Sequence, residues 1–281
     1  MAQGIKANIS SEELKKVLKE HTLKEAANIF NVSESTIKRY KNKYGLSVDL
    51  NIAQQRNSEK HAIYKCDIHY FDKIDTFDKS YLLGFLCADG FVTDRNEIGI
   101  GVSKKDEDIV KFFKQELKSD KPIKYIETTD AVELRIQNSN LAESLKKFGV
   151  MPRKSLILDI GKVIEKAHLT EEQISVFLLG YFDGDGCISI AHHRIDNKEY
   201  FEMNITGTLE TITYFKNYFG HGTLYQRHKE RKNNNYTLQF SNNYLTIYNA
   251  LNKLYRYKNE LTFFFQRKYN LFIQLQNKVK S

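Results

Sequence analysis

Two aspartates set the chemistry this sequence can perform. Asp89 closes Tyr81-Leu-Leu-Gly-Phe-Leu-Cys-Ala-Asp-Gly90, and Asp185 closes Phe177-Leu-Leu-Gly-Tyr-Phe-Asp-Gly-Asp-Gly186. Each stretch is an apolar, helix-like run that stops at a carboxylate. A helix C-terminus already carries partial negative charge, so an aspartate there is repelled unless a cation lies near. Gly84 and Gly180 stand among large apolar residues, and a small residue at that point lets two helix backbones approach closely. Side by side, the helices would bring Asp89 and Asp185 together beside unpaired helix carbonyls. Such a hard-oxygen set suits Mg2+, which binds phosphate oxygens and acidifies a bound water. Gly90 and Gly186 are expected to lead the chain out of each helix by a left-handed turn.

The elements that would position these acids repeat with them. After Gly90 come alternating stretches over 91–93 and 98–102 and a helix over 106–117. A hairpin of 123–127 with 132–137 and a helix over 140–148 follow. After Gly186 the order returns: strands 187–191 and 200–206, helix 209–218, strands 222–227 and 236–241, helix 244–254. In this register Asp89 maps to Asp185 and Lys154 to Lys258. Two αββαββα units, over 76–160 and 170–281, imply an α+β fold with a pseudo-two-fold axis.

Residues 1–46 read as three short helices, with Ser10 or Ser11 capping the first and Ser33 the third. The layout is that of a helix-turn-helix, whose third helix would offer Ser35, Thr36, Lys38, Arg39 and Lys41 to a major groove. A three-helix bundle for protein contacts is the plainer alternative. Residues 47–75 are polar and mixed, and read as a tether.

The charge balance agrees with a polyanionic partner. The net charge is +8; residues 1–50 hold nine Lys+Arg against six Asp+Glu, residues 221–281 eleven against two, and the middle 23 against 27. The three cysteines form no CxxC pair and read as reduced thiols. Four histidines (His192, His193, His221 and His228) lack zinc-ligand spacing. Gly99-Ile-Gly101 lacks the third glycine of a dinucleotide fingerprint. No apolar run approaches a membrane span and no signal peptide is evident, so the expectation is a cytoplasmic protein without membrane contact.

The two marked runs resemble the LAGLIDADG motifs of homing endonucleases, in the monomeric two-motif form, and the similarity covers about residues 70–275. The run-in Tyr70-Phe-Asp-Lys-Ile-Asp-Thr-Phe-Asp-Lys-Ser-Tyr81 is similar to that of bacterial and phage members. The resemblance implies a saddle of two antiparallel sheets in the major groove of a long, imperfectly palindromic DNA site. It also implies Mg2+ (or Mn2+) held against the scissile phosphates, and a setting of intron homing in a bacterial or phage-infected cell. Carried over, Asp89 and Asp185 are the metal-binding catalytic acids, and the carbonyls of Ala88 and Gly184 further ligands. Lys154 and Lys258 are the basic residues near each centre. Lys104 fills a polar position after the second strand that Gly207 leaves empty in repeat two, so the two centres are expected to be unequal. Asp183 is expected to be structural; Cys87 departs from the acidic pattern at its position.

Strand alternation nominates the DNA-reading face. In repeat one it offers Thr93, Arg95 and Lys124, then Glu133, Arg135 and Gln137. In repeat two it offers Ser189, His193 and Asn204, then Thr223, Tyr225 and Arg227, then Thr237, Gln239 and Ser241. Two other functions fit the same fold: a DNA-binding transcriptional regulator without catalysis, and an intron RNA maturase. An intein is disfavoured by the starting Met1 and the lack of splicing-domain sequence.

Overall fold

The structure is a computed structural model that describes residues 9–46, 63–192, 197–226, 234–241 and 243–280. The chain divides into two compact units, Met1–Ile63 and Tyr64–Ser281. No helix among the described residues is long and apolar enough to cross a membrane.

The first unit holds α1 (Ser11–Glu20), α2 (Leu23–Ile29) and α3 (Glu34–Lys43). Each begins at a hydroxyl that satisfies an orphan helix N–H: Ser10 and Thr22 form capping boxes with Glu13 and Glu25, and Ser33 accepts from the Thr36 amide. Leu14, Leu18, Ala26, Ala27 and Ile37 close a small core of their own. The alanines give α2 a face flat enough for close packing.

The second unit repeats one order of elements twice. The first pass runs α4 (Phe77–Ala88), β1 (Gly90–Val92), β2 (Glu97–Ser103), α5 (Glu107–Glu116), β3 (Lys124–Ile126), β4 (Ala131–Gln137) and α6 (Ser139–Phe148). After a short helix α7 (Ile160–Lys166), the second runs α8 (Glu171–Asp185), β5 (Gly186–His192), β6 (Glu199–Gly207), α9 (Leu209–Phe219), β7 (Thr223–Gln226), β8 (Tyr236–Ser241) and α10 (Tyr244–Leu254). A final α11 (Gln266–Lys280) follows. The antiparallel sheets have the same order, β1-β2-β4-β3 and β5-β6-β8-β7. One apolar core runs through both repeats, so they are not separate domains.

At the centre of that core lie α4 and α8, both buried nearly all round. A Cβ on Gly84 would run into the carbonyl of Phe177, and one on Gly180 into the carbonyl of Tyr81. The contact is reciprocal, as a two-fold axis requires, and only glycine permits it.

Two sequence expectations change here. Gly186 leaves its helix at φ −97, and Gly90 also lacks a positive φ. A Cβ on Gly90 would instead stand 2.6 Å from the Leu86 Cα, and one on Gly186 2.5 Å from the Phe182 carbonyl oxygen. Close approach, not left-handed geometry, selects glycine. The tether expected over 47–75 also ends sooner, because Tyr70, Phe71 and Ile74 are buried in the core of the second unit. Those apolar residues anchor the run-in before α4; residues 47–62 lie outside the described residues.

Candidate active site and nucleic-acid interface

The close pairing of α4 and α8 carries their C-terminal ends to one place. A Cβ on Gly184 would lie 3.5 Å from the Asp89 carboxyl carbon, which sets the end of α8 directly against Asp89. Asp185 holds its proton up to about 6, first because burial disfavours its charge and then because Asp89 repels it. Asp89 keeps an exposed surface yet is raised too, by the desolvation of its surroundings, with Lys154 and Lys268 opposing the rise. Two carboxylates brought this close ionise together more readily when a cation lies between them.

Two buried lysines answer the negative helix ends. Lys154 donates to the carbonyl of Ala88. Lys268, 2% exposed, donates to the carbonyls of Phe182, Asp183 and Gly186 at 2.7, 2.8 and 2.6 Å. Unsatisfied carbonyls at a helix C-terminus are natural acceptors for an ammonium. Burial lowers both lysines, Lys268 to about 8.

Lys268 corrects the expected pairing of Lys154 with Lys258. Lys258 is only partly covered, donates to Asn259 at 2.6 Å and lies over the Tyr269 ring. Ten residues further along the sequence, α11 delivers the lysine that reaches α8. The signal was available as a shared dipeptide, Arg153-Lys154 and Arg267-Lys268. The carbonyl of Ala88, expected as a metal ligand, already accepts from Lys154. Lys104 stands exposed in the turn after β2, while the cations that act on Asp89 are Lys154 and Lys268.

Asp183 is 1% exposed and belongs to the core. One of its oxygens accepts from the Tyr81 hydroxyl at 2.7 Å and from the Phe265 amide at 3.0 Å. Its carboxyl is raised by burial, against the pull of Lys268. Tyr181 donates to the Thr206 carbonyl at 3.1 Å, and its hydroxyl opposes the rise of the Asp185 carboxyl. Its hydroxyl fills the space beside Gly207, where a Cβ would stand 2.6 Å away. The position without a side chain in repeat two is therefore occupied by a tyrosine from α8.

The donor set fits a hard divalent cation. Among the described residues no three His, Cys, Asp or Glu side chains cluster. Asp89 and Asp185 would hold it, the other ligands being backbone carbonyl, water or phosphate oxygen, as Mg2+ prefers.

The sheet registers gather most of the nominated face. In the second sheet Asn204 lies opposite Gln239, Gln239 opposite Thr223, and Tyr225 opposite Thr237; Ser189 faces Glu202, which faces Ser241. In the first, Lys124 lies opposite Glu133, and Gln137 opposite Glu97. Cys187, exposed and opposite Asn204, shares the face and was missed.

Several of these residues are engaged elsewhere. Arg135 forks onto Glu133 at 2.6 and 2.7 Å and covers the Phe91 ring. Thr93 spends its hydroxyl on the Glu97 amide, and Arg95 stands exposed in the turn that follows rather than on a strand. Thr237 is buried between Thr206 and Tyr225 and cannot reach a base. His193, Arg227 and the side chain of Ser241 lie outside the described residues.

On α3, Ser35 and Thr36 hydrogen-bond the capping Ser33, and Lys38 pairs with Glu34 at 2.9 Å. Arg39 is exposed, with its guanidinium over Tyr40, and Lys41 is half-buried.

Residues 178–276 match the sequence family described as LAGLIDADG endonuclease. The fold is similar to that of the I-LtrWI LAGLIDADG homing endonuclease bound to target DNA, at 14% identity over 76% of this chain and 91% of that one, with a TM-score of 0.50. It is similar also to meganuclease I-SmaMI bound to uncleaveable DNA with a TTGT central four, at 14% identity over 73% and 88%, with a TM-score of 0.50. No curated protein sequence matches the chain. The chain thus carries the two-repeat LAGLIDADG fold, with the family's sequence pattern in its second repeat.

Proposed function

We propose that this LAGLIDADG-fold chain is a site-specific endonuclease that cuts both strands of duplex DNA with the help of Mg2+ or Mn2+. The observation that carries the reading is the meeting of Asp89 and Asp185 at the ends of two reciprocally packed helices, with a buried lysine on each end. When bound, the cation supplies Lewis-acid stabilisation of charge on the phosphate under attack. Asp89 and Asp185 would hold it. Lys154 and Lys268, as ammonium groups on the helix-end carbonyls, neutralise the ends that carry the two carboxylates.

Two similar but unequal sheets suit an imperfectly palindromic target read by one chain. The first unit, with its basic third helix, adds DNA contacts within the same chain and raises affinity by effective concentration. A genomic setting of intron or intergenic homing in a bacterial or phage-infected cell fits this activity.

A second reading, specific binding without cleavage, is favoured by one observation: Lys154 already holds the Ala88 carbonyl. The two separate by incubating a library of DNA targets with Mg2+ and the wild type, Asp89→Asn or Asp185→Asn. Double-strand breaks abolished by either change support the endonuclease. Specific retention of one target with no break under any divalent metal leaves the regulator. In the same assay Lys268→Met loses cleavage at least about 100-fold, the scale of a lost electrostatic group, and Lys258→Ala stays within about twofold.

A further inference from the structure

Each buried lysine at the centre is preceded by an arginine, and the two arginines are treated differently. Arg267 donates from Nε and Nη2 to the two oxygens of Asp106 at 2.8 and 3.0 Å, the fork-to-fork geometry of a strong charge-assisted pair. Asp106 belongs to the turn after β2, so the pair crosses from repeat two to repeat one. The Asp106 side chain is only 13% exposed, and the guanidinium rests 5.0 Å from the Phe265 ring centre. Its charge is neutralised where it stands.

Arg153 has the opposite surroundings. Its side chain is 88% exposed, and its ion partner among the described residues, Asp94, stands 3.9 Å away and is itself 77% exposed. Such a contact has little hold in water. The backbone at Arg153 is left-handed, at φ 59 and ψ 30, a conformation few non-glycine residues adopt. The next residue, Lys154, turns into the protein towards Ala88. One left-handed residue therefore leaves its own cation in solvent while the lysine that follows it reaches the end of α4.

We infer that Arg153 grips a DNA phosphate next to the centre, whereas Arg267, its counterpart, is withheld from DNA by Asp106, so the two halves hold their strands unequally. The inference rests on the DNA-binding part of the proposed function and not on cleavage. Nothing in the pseudo-symmetric backbone demands the difference; it arises from Asp106, whose counterpart before α9 is Thr208, a neutral residue buried and donating to the Leu158 carbonyl.

Salt dependence of binding tests it, because each phosphate contact adds about 0.9 to the slope of log K against log salt. The probe is a labelled random-sequence duplex in EDTA, with the full chain. Arg153→Ala should lower the slope by about one contact, and Arg267→Ala should leave it unchanged. Asp106→Asn should raise it by about one contact, and adding Arg267→Ala to that variant should cancel the rise. Circular dichroism confirms that each variant is folded, and Arg153→Gln repeats the first measurement with a bulkier neutral side chain. A slope unmoved by Arg153→Ala, or lowered equally by Arg267→Ala, overturns the inference while leaving DNA binding intact. A wild type that does not bind duplex at low salt removes the DNA reading and this inference with it.

Discussion

In the helix pair, Tyr81 of the first repeat and Phe177 of the second occupy equivalent positions, as do Cys87 and Asp183. The tyrosine hydroxyl meets the carboxylate across the axis at 2.7 Å. At the mirrored position the ring has no hydroxyl, and the opposite helix supplies a thiol that is 1% exposed. Burial pushes that thiol up to about 12, so it stays protonated and acts as a small apolar filler. Cys87 is thus the complement of Phe177, as Asp183 is of Tyr81. Backbone contact enforces the symmetry, while polar groups come as cross-repeat pairs that need not be symmetric.

The part of the comparison that should hold equally for both repeats is the glycine contact. Gly84→Val or Gly180→Val is expected to cost about 4 kcal/mol or more, at the upper end for single substitutions. Urea unfolding measures it, and a loss under about 1 kcal/mol for either would show that the backbones can part.

The polar pairs should then break unequally. Asp183→Ala strands the Tyr81 hydroxyl and the Phe265 amide and should cost about 2–4 kcal/mol, whereas Cys87→Ala should cost about 1 kcal/mol. Cys87→Asp alone should destabilise, and adding Phe177→Tyr should recover part of the loss, because the second repeat's arrangement is then copied into the first. No recovery in that double variant would mean the pairs are not interchangeable across the axis.

The smallest effect separates the acids by pH. A cation needs Asp185 ionised, so Mn2+ affinity measured by calorimetry should fall about tenfold per pH unit below about 6. Without metal the sign reverses for stability. Asp185 binds its proton more tightly folded than unfolded, so lowering the pH through about 6 adds stability, with the gain complete near the unfolded value of about 4. Asp89→Asn removes the repelling charge and should move both dependences to lower pH. Affinity that is flat from pH 5 to 8, roughly the range between free aspartate and Lys268 titration, would show that Asp185 is not a ligand.

What the sequence made legible was local. The glycine and aspartate spacing, the twin order of strands and helices, and the Ser33 cap all depend on residues within a few positions of one another. What escaped it depends on contacts far apart in the chain. Asp183 and Tyr81 are separated by 102 residues, and no periodicity connects them. Lys268 was displaced from its expected place because repeat two inserts residues between α10 and α11, so counting from the preceding helix led to Lys258. Thr237 alternates as an outward residue, yet it is buried between its cross-strand neighbours Thr206 and Tyr225. Alternation gives a side, not an exposure.

The Tyr81–Asp183 bond bears on how such a chain can be taken apart and rebuilt. Two copies of repeat two joined as a homodimer would set each Asp183 against a Phe177, burying two carboxylates that had lost their hydroxyl donor. Two copies of repeat one would set each Tyr81 against a Cys87, leaving both hydroxyls without a carboxylate. Neither half is a spare part. A hybrid that grafts one half onto a foreign relative must carry the matching residue over into the other half, and a lineage that acquired this pair after duplication closed off its own return to a symmetric ancestor.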